Sequence, residues 1–198
     1  MKKLIVIALI LCAYLLTDAQ TIGIRGGFNL ANIEIESEGI SISPDDRFGI
    51  HLGVVGEFPV GESLFINPGL LFMQKGFKME GDGEDVKGRM NYLDIPVNAL
   101  YKVDLTGAYL LLHAGPNFGF GLSGKEEYDG EEEDIEFGSD EEQLKRLDLG
   151  LNLGVGAEIQ QFQVTLNYTL GLNNLSNYDE MDWKNKVLTL SLTYLLGK

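Results

Sequence analysis

From Leu147 to Ile159 every second residue is apolar: Leu147, Leu149, Leu151, Leu153, Val155, Ala157 and Ile159, with Asp148, Gly150, Asn152, Gly154, Gly156 and Glu158 in the gaps. A repeat of two residues puts successive side chains on opposite faces of a β-strand, so this run is a strand with one greasy face. The same alternation recurs over Phe162–Leu172 and Leu188–Tyr194, and more weakly over Ile22–Leu30, Phe48–Phe58, Leu64–Phe72, Leu93–Tyr101 and Leu110–Leu122. Eight strands result. Strands of soluble domains are typically about five or six residues long, whereas a tilted strand that crosses a bilayer needs about nine to eleven, and most of these runs match the second length. The connectors alternate too. Those at Pro59-Val60-Gly61-Glu62, Asp104-Leu105-Thr106-Gly107 and Gln160-Gln161 are short; Asn32–Asp46, Phe77–Gly88, Ser123–Gln143 and Asn173–Lys184 are long. Short turns at one end and long loops at the other are the pattern of a membrane barrel.

Charge decides which face meets what. The chain has 15 Lys plus Arg against 30 Asp plus Glu and a formal net charge of −15. Binding a phosphate backbone needs clustered cations, so a nucleic-acid partner is excluded. Of the 30 acidic residues, 23 fall in the four long connectors, which leaves the apolar parity of the strands free of charge and able to lie against hydrocarbon. A charge on that face at mid-depth would cost about 2–4 kcal/mol. On the apolar parity, Phe58, Tyr101, Phe162 and Tyr194 lie toward the short turns and Phe48, Phe72 and Phe120 toward the loops, as two interfacial girdles would. A soluble eight-stranded barrel of the lipocalin kind would reverse the faces, but its wetted face should carry Lys, Glu and Thr. Here the second face holds Gly23, Gly27, Gly53, Gly69, Gly115, Gly119, Gly150 and Gly154 with amides between them, which suits a narrow lumen.

The chain opens with Met1-Lys2-Lys3 and an unbroken apolar run from Leu4 to Leu16 before Thr17-Asp18-Ala19-Gln20. A basic start, a short apolar stretch and a small residue at the cleavage point make residues 1–19 an export signal, with 20–198 as the barrel domain. Cys12 falls inside the removed segment, so the mature chain is held by packing and hydrogen bonds alone.

Local strings add a resemblance. Gly23-Ile24-Arg25-Gly26-Gly27-Phe28-Asn29, Asn67-Pro68-Gly69 followed by Lys75-Gly76, Tyr92-Leu93-Asp94-Ile95-Pro96, Ala114-Gly115-Pro116, Gly154-Val155-Gly156 and Gly171-Leu172-Asn173-Asn174-Leu175 together resemble the PorT-like outer-membrane β-barrel family of Bacteroidota. The similarity spans essentially the whole mature chain. It implies an outer-membrane location and an all-β fold of eight antiparallel up-and-down strands with OmpA/OmpX-like architecture, but no single activity: the role expected is structural or surface-binding, with an accessory part in protein secretion carried over from the name-giving member of the family; it brings no catalytic residue. Two features depart from the family: Arg25 stands where Lys is common, and the chain ends Tyr194-Leu195-Leu196-Gly197-Lys198, without a terminal aromatic.

On the inward parity stand Arg25, Glu57, Lys75, Asp94, Lys102, Asp148 and Glu158, interspersed with asparagines. They read either as a lumen network in which unlike charges and amides satisfy one another or as a narrow path for ions or small solutes. His51 and His113 are the two histidines; a lipid-modifying hydrolase would need a serine within reach of one of them, with Ser191, Ser63 and Ser123 as candidates. The run Glu131-Glu132-Glu133-Asp134, with Asp140-Glu141-Glu142 after it, invites divalent cations but lacks a calcium-loop spacing and reads as a solvated, mobile surface. No cofactor motif is present. In the loops, Phe137, Tyr178 and Trp183, with Tyr128 and Ile135, are the large apolar groups that could anchor another envelope or secretion protein; outer-membrane lipid and lipopolysaccharide are the partners expected of the barrel wall. Finally, Pro68, Pro96 and Pro116 fall inside strands, where each removes a ladder donor; β-bulges are expected there.

Overall fold

The computed structural model describes residues 20–37, 40–80, 85–128, 130–178 and 181–196. The segment at 1–19 expected to be an export signal, the last two residues and the acids at 38, 82, 84, 129, 179 and 180 lie outside them. Ten strands run in chain order: β1 (Thr21–Ser37), β2 (Ile40–Ile42), β3 (Asp45–Pro59), β4 (Leu64–Glu80), β5 (Asp85–Asp104), β6 (Tyr109–Tyr128), β7 (Glu131–Ile135), β8 (Leu147–Ile159), β9 (Phe162–Gly171) and β10 (Met181–Leu196). Eight of them form a ring in the order β10-β9-β8-β6-β5-β4-β3-β1, and β1 pairs back onto β10. That last ladder is unbroken from Ile22 opposite Leu196 to Ser37 opposite Met181. The sheet therefore has no edge in the ring, and β2 and β7 are short extensions on β1 and β6.

The exposed side chains are the greasy ones. Ile24, Phe28, Leu52, Val54, Leu153, Val164, Leu190 and Leu192 are each about half exposed, while Arg25, Asn29, His51, Asn167, Ser191 and Thr193 on the alternate parity are buried. Apolar outside and polar inside is stable only when hydrocarbon replaces water around the ring. Phe28 packs on Phe48 with centroids 5.3 Å apart on the loop side, and Phe162 on Tyr194 at 5.2 Å near the short turns, marking the two boundaries. The short turns follow local chemistry: Thr106 and Gly107 take φ of 59° and 101°, the positive values a two-residue hairpin turn requires. The Asp104 carboxylate accepts a hydrogen bond from the Thr106 amide at 2.8 Å.

Two expectations need correction. The strands outrun the segments expected from alternation: β1 continues to Ser37, β4 to Glu80, β6 to Tyr128, and β5 and β10 begin at Asp85 and Met181. Outside the membrane the pattern inverts. Ile33, Phe77 and Met90 point inward and are fully buried, while Glu34, Lys87, Arg89 and Lys125 occupy the outer parity. Rules for a single greasy parity stop where that inversion begins. The prolines, for their part, do not sit at bulges. Pairing sums stay constant past Pro68, Pro96 and Pro116; bridges lapse at Gly56–Glu57 against Asn67–Pro68, at Gly69–Leu70 against Ile95–Pro96 and at Val97–Asn98 against Gly115–Pro116. The missing donors open the ladder locally, and Gly69 leaves room for the ring of Pro96, whose Cγ would sit 3.1 Å from a Cβ there. Register shifts occur elsewhere, between Asp46 and His51 and between Asn91 and Tyr92.

Leu52, 61% exposed, lies midway between the Phe48 and Phe58 girdle positions. Leu52→Lys should lower unfolding free energy in lipid by about 2–4 kcal/mol, read as a shifted urea midpoint, whereas Val60→Lys in the short turn should change it by less than about 0.5 kcal/mol.

Candidate functional site

Two regions concentrate polar chemistry: the lumen and the extracellular mouth. The lumen is layered. Near the short turns, Lys102 from β5 places Nζ 2.6 Å from Glu57 Oε2 of β3 and 2.7 Å from Glu158 Oε2 of β8. Gln163 of β9 donates to both carboxylates, at 2.6 and 2.8 Å, and the ammonium lies over the Phe65 ring at 4.8 Å. Toward the mouth a second cluster repeats the plan. Lys75 of β4 lies 3.0 Å from Asp94 of β5 and 2.9 Å from Asp148 of β8, with Asn117 donating to Asp94 and Asn185 to Asp148, each at 2.9 Å. The Tyr92 ring covers the ammonium at 4.4 Å. Each lysine thus faces two carboxylates, and amide donors supply the bonds that one ammonium cannot. Of the seven inward ionic residues expected from the sequence, six meet in these two triads. Arg25 stands apart and donates from Nε to Thr193 Oγ1 at 2.9 Å.

Between the clusters, Asn29 and His51 meet Ser191. Asn29 Nδ2 donates to the carbonyls of Ile50 and Gln74, so its Oδ1 is left to accept from His51 Nδ1 at 2.7 Å. That fixes the tautomer: His51 Nε2 accepts from the Ser191 hydroxyl at 2.9 Å. The arrangement has the connectivity of a hydrolytic relay, and the serine sought from the sequence does come within reach. It is nevertheless enclosed, with Asn29, His51 and Ser191 all at most 3% exposed. The space Ser191 faces, which Arg25, Asp94 and Asn98 also line, is a cavity of about 20 Å³, room for one water and no acyl chain. His113 is buried with Nε2 lacking a hydrogen-bond partner.

Above and beside these layers the lumen is apolar, a feature missed from the sequence. Ala31, Val55, Leu71, Met73 and Val187 form one buried cluster. Ile33, Phe77, Met90, Tyr92 and Leu144 form another, joined by Ile35, Met79, Val86, Ile135, Phe137 and Trp183. The signal was present as Ile33-Ile35, Phe77-Met79 and Met90-Tyr92, pairs spaced by two on the parity opposite to the greasy outer face. Asn117 was among the asparagines expected on the inward parity, whereas Gln163 and Asn185 were overlooked, since their value lies in completing triads that only the closed ring assembles.

The mouth is capped by the acidic connector, whose described residues add strand pairing and hydrogen bonds to the solvated surface expected from the sequence. Glu131–Ile135 pairs with β6 as β7, and Lys125 bonds Glu132, holding that exposed carboxyl below the ordinary carboxylate range. Beyond it the chain folds inward. Leu144 N donates to Glu136 O at 2.9 Å, Lys145 N to Leu175 O at 2.8 Å, and the Asn177 amide to the Asp140 and Gln143 carbonyls at 2.9 Å. Phe137 meets Tyr92 edge-on at 5.7 Å, and Trp183 meets Phe77 at 5.5 Å. Of the three loop anchors, Phe137 and Trp183 are therefore engaged in sealing the barrel, and Tyr178 is 47% exposed. Beside this cap opens a cavity of about 990 Å³, walled by Glu126, Glu133, Glu136, Asp140, Glu141 and Glu142 with Tyr178, Trp183 and Leu144. Among the described residues no group of three acidic, histidine or cysteine side chains could hold a metal ion.

Lys102→Met should leave Glu57 and Glu158 facing each other and cost about 3–5 kcal/mol. Adding Glu57→Gln and Glu158→Gln should recover most of the loss, as judged by urea midpoints from the fluorescence of Trp183.

In the comparison with solved structures, the chain is similar to the outer membrane protein OprG of Pseudomonas aeruginosa, at 13% identity and a TM-score of 0.53 over 91% of this chain and 97% of that one. Neisserial surface protein A gives 11% identity and a TM-score of 0.49 over 89% and 99% of the two chains. The attachment invasion locus protein Ail of Yersinia pestis gives 16% and 0.46 over 89% and 98%. At such identities the likeness to OprG shows the fold alone. No curated protein sequence matches. The family model described as outer membrane protein beta-barrel domain matches residues 19–177, and with the ring closed and its greasy face outward, the chain belongs to that family of outer-membrane β-barrels.

Proposed function

We propose that this barrel is a surface-binding protein that holds a cationic partner at its extracellular mouth and passes nothing through its lumen. The observation that carries this reading is the contrast between the two ends of one axis. Inside, ion triads and two apolar layers leave about 20 Å³ of enclosed space at mid-lumen. Outside, an open cavity of about 990 Å³ joins acidic walls to an aromatic floor. Carboxylates in that number attract a Lys- or Arg-bearing ligand by long-range steering, and Tyr178 and Trp183 offer faces on which a guanidinium or alkyl stem can lie. The secretion-accessory role implied by the PorT-like resemblance is the same proposal with an exported protein as the ligand.

The channel reading finds no support in so filled a lumen. A lipid-modifying enzyme would require a lipid ester to reach Ser191, which faces inward and away from the acyl chains; we infer that the protein is not an enzyme and that His51 serves packing.

Trp183 is the only tryptophan of the chain and lines the cavity, so its emission reports occupancy. A hexa-arginine peptide should shift that emission saturably. Glu136→Gln with Glu141→Gln should weaken binding at least fivefold, while Asp45→Asn with Asp46→Asn should not. No saturable shift, or equal weakening by both pairs, would count against the site. In planar bilayers the protein should give no discrete conductance steps; reproducible steps would install the channel reading instead.

A further inference from the structure

The outer wall shows a graded series of side chains above the loop-side girdle. On β4, β5 and β6 the outward partners Phe72, Leu93 and Phe120 form an apolar row. In the next row, two residues higher on β4 and β5 and three on β6, stand Gln74, Asn91 and Ser123, joined by Asn91 Nδ2 donating to Ser123 Oγ at 2.9 Å. Two residues higher again, Arg89 pairs with Gly76 on one side and Lys125 on the other. Arg47 of β3 reaches this row across Gly76, where a Cβ would sit 3.0 Å from the Arg47 Cδ; the glycine clears the path for its stem. Lys78 and Lys87 face each other in the next row. Five of the chain's 15 cationic residues thus share one face of four adjoining strands, in a protein of net charge −15.

Arg47, Lys87, Arg89 and Lys125 line a single recess of about 100 Å³ together with Glu127 and Glu132. Both carboxylates are already engaged, Glu127 at 3.9 Å from Lys87 and Glu132 by Lys125. Arg47 and Arg89 have no carboxylate in ion-pair contact among the described residues, and the Arg47 guanidinium makes only a 3.4 Å bond to the carbonyl of Phe48. Two guanidinium groups held in one recess repel each other unless an anion lies between them. Their height selects the anion. Four residues at about 3.3 Å each, tilted by about 40°, raise the row roughly 10 Å above the girdle, beyond the acyl chains and at the level of lipid headgroups.

We propose that this recess binds the phosphate groups of an outer-leaflet glycolipid, lipopolysaccharide, with Arg47 and Arg89 as bidentate ligands and Lys87 and Lys125 as supporting charges. The site is on the outside of the wall and is independent of the mouth cavity.

The test uses the barrel refolded in detergent, with diphosphoryl lipid A as the probe and retained lipid counted by native mass spectrometry. The wild-type barrel should retain the probe, and Arg47→Gln with Arg89→Gln should retain at least tenfold less at the same concentration. Lys184→Gln with Lys186→Gln, which removes equal charge on β10, should match the wild type. The site is refuted if the arginine variant holds as much lipid as the wild type, or if dephosphorylated lipid A is retained equally well. Displacement by an equal concentration of inorganic phosphate also refutes it, since that marks a free-anion site. If the arginine variant loses its heat-dependent electrophoretic mobility, Lys87→Gln with Lys125→Gln takes its place under the same criteria.

Discussion

Inside a bilayer no water is available to a backbone amide, so each must find its partner within the protein. In this chain the β1–β10 ladder meets that demand, sixteen consecutive residue pairs closing the sheet on itself. Once the ring is closed, everything else is constrained. One parity of every strand must face acyl chains and be apolar, and the other must fill a narrow tube. The prolines show how firmly register is held. Pro68, Pro96 and Pro116 interrupt bridges without moving the strands by a residue, because the pairs above and below each gap keep the alignment and a one-residue slip would turn greasy side chains inward.

Filling the tube raises the next problem, since charges placed there lose their water. The solution is used twice with different residues: a lysine from one strand set between carboxylates from two others, with amides taking up the remaining lone pairs. Such triads contribute little net stability over an apolar filling. What they supply is pairing of strands far apart in sequence, because Lys102 satisfies Glu57 of β3 and Glu158 of β8 together only when the ring is in its one register. The apolar cluster at the mouth, built on Ile33, Phe77, Met90 and Tyr92, then excludes water from above.

How much of this was legible in the sequence follows from the range of each signal. The ring strands were visible because Leu147–Ile159 and its counterparts alternate without exception, and the ionic lumen residues because a charge on the wrong parity stands out. The pairing of six of them into triads was not, since it depends on which strands become neighbours across the tube. Strand ends were missed because the alternation changes sign. Met90 and Tyr92 sit on the parity that carries Asp94 and Lys102 lower down the same strand, so a rule asking for one greasy face ends β5 at Leu93. The acidic connector read as solvent-exposed because 11 carboxylates dominate its composition; most of its described carboxylates are exposed, and what that reading missed is the turn of Ile135, Phe137 and the adjoining Leu144 into the apolar cluster at the mouth.

That change of sign is itself a measure of depth. Down β5 the outward residues run Lys87, Arg89, Asn91, Leu93, Ile95, Val97, Ala99 and Tyr101, from cationic through amide to apolar and then to the aromatic boundary, while the inward ones run from Met90 and Tyr92 to Asp94, Asn98 and Lys102. One strand thus carries two opposite solvent exposures, a soluble barrel above and a membrane barrel below. The crossover at Asn91 coincides with the register shift between Asn91 and Tyr92. A bulge adds one residue to one strand of a pair and increases local twist, here by leaving Leu122 of β6 unpaired. Because that extra residue switches the faces of β6 above it, Gly124 turns inward beside Met90 and Lys125 outward beside Arg89. On β6 the outward Lys125 of the wall and the inward Gly124 of the mouth are thus consequences of the same inserted residue.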